Sequence, residues 1–217
     1  MHVLMDLDGT LTDPFPGITR CIQHALAALG QSVPPANDLR WCIGPPLTKS
    51  FAKLLNTQDP RQIDEAMAKY RERFSTVGLY ENSVFPGIAD ALRILQEQGH
   101  DLVVATSKPT VFSVRIIEHF GLKKYFRSVD GSELDGTRGD KTSLIAHILK
   151  RDGIPAEKAV MVGDREHDII GARENQVRGI GVLWGYGSRE ELEAAGAVTC
   201  LSTPLELPSV IQEKFSQ

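Results

Sequence analysis

Asp6 and Asp8 stand two residues apart at the end of the apolar run His2-Val-Leu-Met-Asp-Leu7. Residues two apart leave a strand on the same side, so both carboxylates would face one space. Two such groups repel each other unless a cation or a shared proton compensates. Gly9 follows and permits a sharp turn, and Thr10 adds a hydroxyl. An Asp-Gly hairpin turn is the alternative reading of this stretch. An EF-hand loop is excluded, because its invariant glycine would be misplaced and its last ligand position holds Gly17 instead of a glutamate.

A second acidic cluster closes another apolar run, Val162-Gly-Asp-Arg-Glu-His-Asp-Ile169. Asp164 sits at the strand end, and Asp168 lies one helical turn further on, so both can face one site. Asp164 could equally cap the helix that follows. Several carboxylates converging on one sheet edge call for a hard cation, and oxygen donors favour Mg²⁺. In Val104-Ala-Thr-Ser-Lys-Pro109, Thr106 and Ser107 close a third run, with Pro109 placed to begin a helix. Free N–H groups at a helix start suit a phosphate oxygen. Lys141 opens a further helical period, a place where a lysine is ordinarily solvated.

These residues need a scaffold that brings strand ends together. Apolar runs of strand length occur at His2–Leu7, Asp101–Thr106, Phe126–Val129, Ala159–Val162, Gly179–Leu183 and Ala197–Leu201. Helical periods lie between them at Gly87–Gln98, Val111–Phe120, Lys141–Lys150, Asp164–Asn175, Glu190–Ala195 and Pro204–Phe215. Strands alternating with helices predict an α/β fold with a Rossmann-like parallel sheet. Residues 15–80 break the alternation. They read as helices at Gly17–Leu29, Pro46–Leu55 and Pro60–Gly78, an inserted helical cap. The expected division is therefore an α/β core, residues 1–14 and 81–217, with a helical cap, residues 15–80. Open α/β sheets bind ligands at their carboxyl edge, where such an insertion would lie.

Composition narrows the partners. The 217 residues are 41% hydrophobic and 24% charged, with a net charge of −4, so no basic field exists to hold a nucleic acid. No apolar run approaches the ~18 residues that a membrane helix needs. Asp6 and Asp8 interrupt the first apolar stretch too early for a signal peptide. The three cysteines are scattered and suit a reducing cytoplasm. Phosphate-loop, dinucleotide, serine-hydrolase and zinc-protease motifs are missing. His167 reads as a helix-surface residue and Arg138 as a solvated loop residue.

The ordered set Asp6-Leu-Asp8-Gly-Thr10, Thr106, Lys141 and Gly163-Asp164 with Asp168 resembles the haloacid dehalogenase-like superfamily of phosphohydrolases. The resemblance covers nearly the whole chain. It implies that Asp6 is the nucleophile that forms an aspartyl phosphate. Asp8 would be the general acid and then the general base. Mg²⁺ would be held by Asp6, the Asp8 carbonyl and Asp164. Thr106 and Ser107, with Lys141, would bind the phosphoryl group, while Thr10 and Asp168 would support the site. Asp168 would orient Lys141 or the metal's waters and not ligate directly. Substrate choice would fall to the cap, with Arg20, Gly44 in Ile43-Gly-Pro-Pro46, and Lys49 as candidates. Ile43–Leu47, Ala105–Pro109, Gly131–Gly136 and Gly163–Asp168 look like a sub-branch that includes nucleoside monophosphate phosphatases. The resemblance thus implies a small phosphorylated metabolite as substrate, a nucleoside 5′-monophosphate before phosphoglycolate. A sugar phosphomutase is the less favoured alternative, since Thr10 stands where mutases often carry a bulky aliphatic residue. The sequence does not set the oligomeric state.

Overall fold

The computed structural model describes residues 1–215. The chain forms two compact units, Met1–Asp13 with Val84–Gln217, and Pro14–Ser83. The expected division fell after residue 14 and after residue 80.

The smaller unit holds α1 (Phe15–Ala28), α2 (Leu47–Leu54) and α3 (Pro60–Phe74), with one 3₁₀ stretch, Ala36–Cys42, between α1 and α2 and another, Gly78–Tyr80, after α3. The Asp59 side chain accepts the Arg61 N–H, and Pro60 starts α3 with no donor to lose. Phe51, Tyr70 and Phe74 form an aromatic cluster. The Tyr70 and Phe74 rings stack at 5.1 Å, and Phe51 meets Tyr70 edge-on at 6.2 Å. The helix read to Gly78 stops at Phe74, and the chain turns before Gly78. A Cβ on Gly17 would lie 2.1 Å from the Gly78 carbonyl oxygen, so this crossing admits only glycine.

The larger unit is built on β1 (His2–Met5), β2 (Asp101–Pro109), β3 (Ser128–Ser132), β4 (Ala159–Gly163), β5 (Arg178–Val182) and β6 (Thr199–Leu201). They form one sheet in the order β3-β2-β1-β4-β5-β6, with every neighbouring pair parallel. This is the expected Rossmann-like arrangement, and the strand order reverses beside β1. Between the strands run α4 (Ile88–Glu97), α5 (Thr110–His119), α6 (Lys141–Asp152), α7 (Glu166–Glu174) and α8 (Arg189–Ala195), with α9 (Leu207–Phe215) at the end.

Val3, Leu4 and Met5 are wholly buried, which explains why β1 reads as a continuous apolar run. Leu4 packs with Val103 and Met161 of its neighbours against Leu144, Ile145 and Ile148 of α6 and Ala172 of α7. Its neighbours in sequence point to the opposite face of the sheet.

Several element bounds differ from the sequence reading. The second strand runs on to Pro109, and its register with β3 shifts between Ala105 and Pro109. The strand read at Phe126–Val129 lies at Ser128–Ser132, starting two residues later. The helix expected at Asp164 begins at Glu166, because Arg165 still has extended backbone, φ −124° and ψ 157°, and is itself the N-cap. The last helical stretch splits into a 3₁₀ turn, Pro204–Glu206, and α9.

Candidate active site

The acidic residues gather where β1 and β4 end side by side. The Asp6 N–H donates to the Val162 carbonyl at 2.9 Å, so strand pairing carries one residue past β1. The chain then folds back on itself. Leu7 O accepts the N–H groups of Leu11 and Thr12 at 2.9 and 3.0 Å, and Gly9 N–H donates to Thr12 O at 2.8 Å. Gly9 takes φ +87°, a conformation that most residues avoid. This turn is not the start of a hairpin, since β1's sheet neighbours are both parallel to it.

Lys141 is the first residue of α6, and the preceding Asp140 caps that helix by accepting the Ser143 N–H at 2.9 Å. The lysine is only 5% exposed, so it is not the solvated residue that its place at a helix start ordinarily implies. Its Nζ lies 2.7 Å from Asp6 Oδ1, 2.7 Å from the Ala105 carbonyl and 2.6 Å from Asp168 Oδ1. Asp168 Oδ2 accepts the Arg165 N–H at 3.1 Å. Asp168, not Asp164, therefore serves the start of α7, and Asp164 is left for other work.

Asp164 is wholly buried. Its Oδ1 accepts the Thr10 hydroxyl at 3.2 Å, and its Oδ2 accepts the Tyr186 N–H at 2.9 Å. The loop after β5 closes over it. Gly187 N–H donates to Asp164 O at 3.1 Å, and Trp184 Nε1 donates to Thr10 O at 2.9 Å. A Cβ on Gly185 would come 2.4 Å from Asp164 Cβ, and one on Gly187 would come 2.1 Å from Asp164 O.

Asp8 is buried beside Lys108, whose Nζ lies 2.5 Å from Asp8 Oδ2. Asp8 Oδ1 has no hydrogen-bond partner among the described residues. Thr106 is 2% exposed, and its hydroxyl accepts the Lys108 N–H at 3.2 Å. The Ser107 carbonyl accepts the Ser132 hydroxyl at 3.0 Å.

Burial dominates the electrostatics. It raises the Asp8 carboxyl above its ordinary range, against the opposing pull of Lys108. It also lifts Asp168 to about 6 against the nearby Lys141 charge. Burial and then the charges of Asp168 and Asp6 push Asp164 well above the usual carboxylate range. Burial opposes the Lys141 charge too, but Asp168 and Asp6 outweigh it and hold that lysine above its ordinary value.

Carboxylate oxygens of Asp6, Asp164 and Asp168 all lie within 4.8 Å of one another. Were all three ionised, their charges against the Lys141 ammonium that bridges Asp6 and Asp168 would leave an excess of two negative charges in a buried space, which is why Asp164 and Asp168 hold their protons more tightly than usual. An all-oxygen, doubly negative donor set fits a hard divalent cation such as Mg²⁺. The Asp8 carboxylate stands outside that group of three and is engaged with Lys108.

The three residues expected to choose the substrate belong to the helical unit. Arg20 NH1 is bonded to Glu81 at 2.7 Å, a carboxylate that also holds Arg73. Gly44 takes φ +105°, and Lys49 is exposed. His167 is part-exposed beside Glu166, and Arg138 pairs with Glu133. Sequence reasoning missed Lys108 and the Trp184–Gly187 loop. The available signals were a lysine inside the Thr106–Pro109 run and the paired glycines 185 and 187 just after a strand.

The profile of the haloacid dehalogenase-like hydrolase family matches residues 3–182. A 5′-nucleotidase of Pseudomonas aeruginosa is 50% identical over 193 residues, which are 89% of this chain and 87% of that protein. The tyrosine-protein kinase PtkA of Mycobacterium tuberculosis is 37% identical over 191 residues, 88% of this chain. The match spans 65% of the length of that relative. Among solved structures, a predicted phosphatase from Clostridium acetobutylicum superposes with a TM-score of 0.94 at 43% identity, covering 98% of each chain.

Proposed function

The chain belongs to the haloacid dehalogenase-like hydrolases and is a phosphoric monoester hydrolase, and on that premise we propose that it is a 5′-nucleotidase acting through a phosphoryl group carried on Asp6. The observation that carries the mechanism is the buried Lys141 ammonium bridging Asp6 and Asp168 beside Asp164. A carboxylate meets a phosphate dianion only when positive charge is already in place. Lys141 supplies one such charge and holds Asp6 in a single orientation.

An Asp6 oxygen attacks phosphorus in line, and the bond from phosphorus to the ester oxygen breaks. Asp8 gives its proton to the departing oxygen, a role that its raised carboxyl pKa suits. A water molecule then attacks phosphorus, its proton passes to Asp8, and the bond to Asp6 breaks to release phosphate. The Thr106 and Ser107 hydroxyls, with the N–H groups leading into α5, would hold the phosphoryl oxygens. Mg²⁺ held by Asp6, Asp164 and the Asp8 carbonyl, with Asp168 close by, would supply the remaining positive charge for those oxygens. We read the helical unit as the cap that selects the substrate, with Arg20, Gly44 and Lys49 as its candidate contacts.

The nucleotide reading is supported by the 50% identity to a protein named 5′-nucleotidase. A panel of phosphate esters with Mg²⁺, read as free phosphate, tests it. UMP and IMP are expected to turn over faster than phosphoglycolate. Much faster release from phosphoglycolate would replace the substrate assignment and leave the chemistry standing.

A further inference from the structure

The proposed mechanism uses Asp8 as an acid but gives no work to the cation lying against it. Lys108 Nζ is 2.5 Å from Asp8 Oδ2, and the two side chains are 7% and 12% exposed. An ammonium in so little water has given up hydration, and its partner must compensate. The lysine is held by more than that contact. Its backbone N–H donates to the Thr106 hydroxyl, and its carbonyl accepts the Ser113 hydroxyl at 3.4 Å. Gly131 of β3 lets that carbonyl approach, since a Cβ there would stand 2.2 Å from Lys108 O. Ser132 ties down the preceding residue, and Thr110 following it donates to Ser132 O at 3.3 Å. The register shift between Ala105 and Pro109 thus aims Lys108 at β1's carboxyl end.

The consequence for Asp8 is an asymmetry between its two oxygens. Oδ2 is occupied by Lys108, and Oδ1 has no hydrogen-bond partner among the described residues. We propose that Lys108 is a positioning residue for the general acid, fixing Asp8 so that Oδ1 faces the leaving oxygen and meeting the charge that Asp8 acquires as it gives up its proton. The inference rests on the assignment of Asp8 as acid. As the phosphorus–oxygen bond breaks, the proton moves from Asp8 Oδ1 to the departing oxygen, the new carboxylate charge lies against the ammonium, and Lys108 keeps its own protons throughout.

Leaving groups separate this role from a merely structural one. A nucleoside 5′-oxygen needs a proton to depart, whereas p-nitrophenolate leaves as a stable anion. The parameter kcat/KM reports the first phosphoryl transfer and is blind to the later hydrolysis of the intermediate. Lys108→Met should lower kcat/KM for UMP by about a hundredfold, within the usual range for general acid catalysis. The loss on p-nitrophenyl phosphate should be about tenfold smaller or less. Lys108→Arg, which keeps the charge, should recover part of the loss on UMP. If Lys108→Met does not fold, Lys108→Gln carries the same comparison. Equal losses on both esters, no loss on either, or a larger loss on the aryl ester would overturn the proposal. Asp8→Asn is the internal standard. If it shows the split and the Lys108 variants do not, only the positioning role falls. If Asp8→Asn shows no split, the acid assignment itself falls. Should the wild-type protein ignore UMP, any alkyl phosphate that it hydrolyses replaces UMP.

Discussion

A Cβ built on Gly9 would stand 2.2 Å from Asp164 Oδ2, so the turn after the first strand and the acid after the fourth occupy space that only a glycine leaves open. The two residues are 155 positions apart in sequence, yet each sets the limits of the other. Gly9→Ala would meet both this clash and the strain of φ +87°. We expect it to cost about 1–3 kcal/mol from the backbone alone, and more from the contact. Thermal melting and phosphate release should fall together. A variant that melts and turns over like the wild type would contradict the close approach.

The acidic triad predicts metal linkage. Adding Mg²⁺ to metal-free protein should raise its melting temperature, because an ion that binds only the folded state stabilises it, by about 2.7 kcal/mol at a hundredfold excess over Kd. Asp164→Asn removes one of three gathered carboxylates and should abolish most of that rise. An undiminished rise in the variant would show that the ion binds elsewhere.

Lys141 sets its ammonium between Asp6 and Asp168. Lys141→Met would leave both carboxylates buried without it, and breaking a buried pair in this way typically costs about 3–5 kcal/mol. Urea unfolding near neutral pH measures this, and activity should be lost even where the variant is fully folded. Retained turnover would remove Lys141 from the mechanism.

Away from the site, Asp152 answers to acid. Its carboxyl is held below the usual carboxylate range, chiefly by hydrogen bonds from Arg151, with Arg127 NH2 a further 2.5 Å partner. The folded value lies below the unfolded one, so the stabilisation is complete above about pH 4 and disappears as pH falls through the folded value. Urea midpoints taken from pH 6 down to pH 3 should decline less steeply in Asp152→Asn than in the wild type. Parallel declines would assign the acid sensitivity to other groups.

Much of this architecture can be read from local pattern. Val3, Leu4 and Met5 are buried on both faces, so the strand announces itself as an unbroken apolar run, and Leu144, Ile145 and Ile148 mark the inner side of α6. Gly99, at φ +79°, ends α4 where its position suggests. The grouping of Asp6 with Asp164 was likewise legible, because both follow apolar strands and parallel strands end on the same edge. Lys108 was not. Its partner Asp8 lies 100 residues away, and only the adjacency of β1 and β2 makes the pair. Asp164 as a helix cap was a sound local reading that failed because Arg165 stands at the N-cap position with extended backbone, and Asp168 accepts its N–H. Gly185 and Gly187 carry no local signal of what they touch. Their requirement comes from the Asp164 side chain and carbonyl pressed against them.

The most direct test of the account is to catch the phosphoryl group on Asp6. Protein turning over UMP with Mg²⁺ is quenched with borohydride, which reduces an acyl phosphate of aspartate to homoserine, and the peptide containing residue 6 is weighed by mass spectrometry. The account predicts homoserine at position 6, dependent on substrate and absent in Asp6→Asn, which should also release no phosphate. Turnover with Asp6 unmodified, or the mark on a different residue, would contradict it.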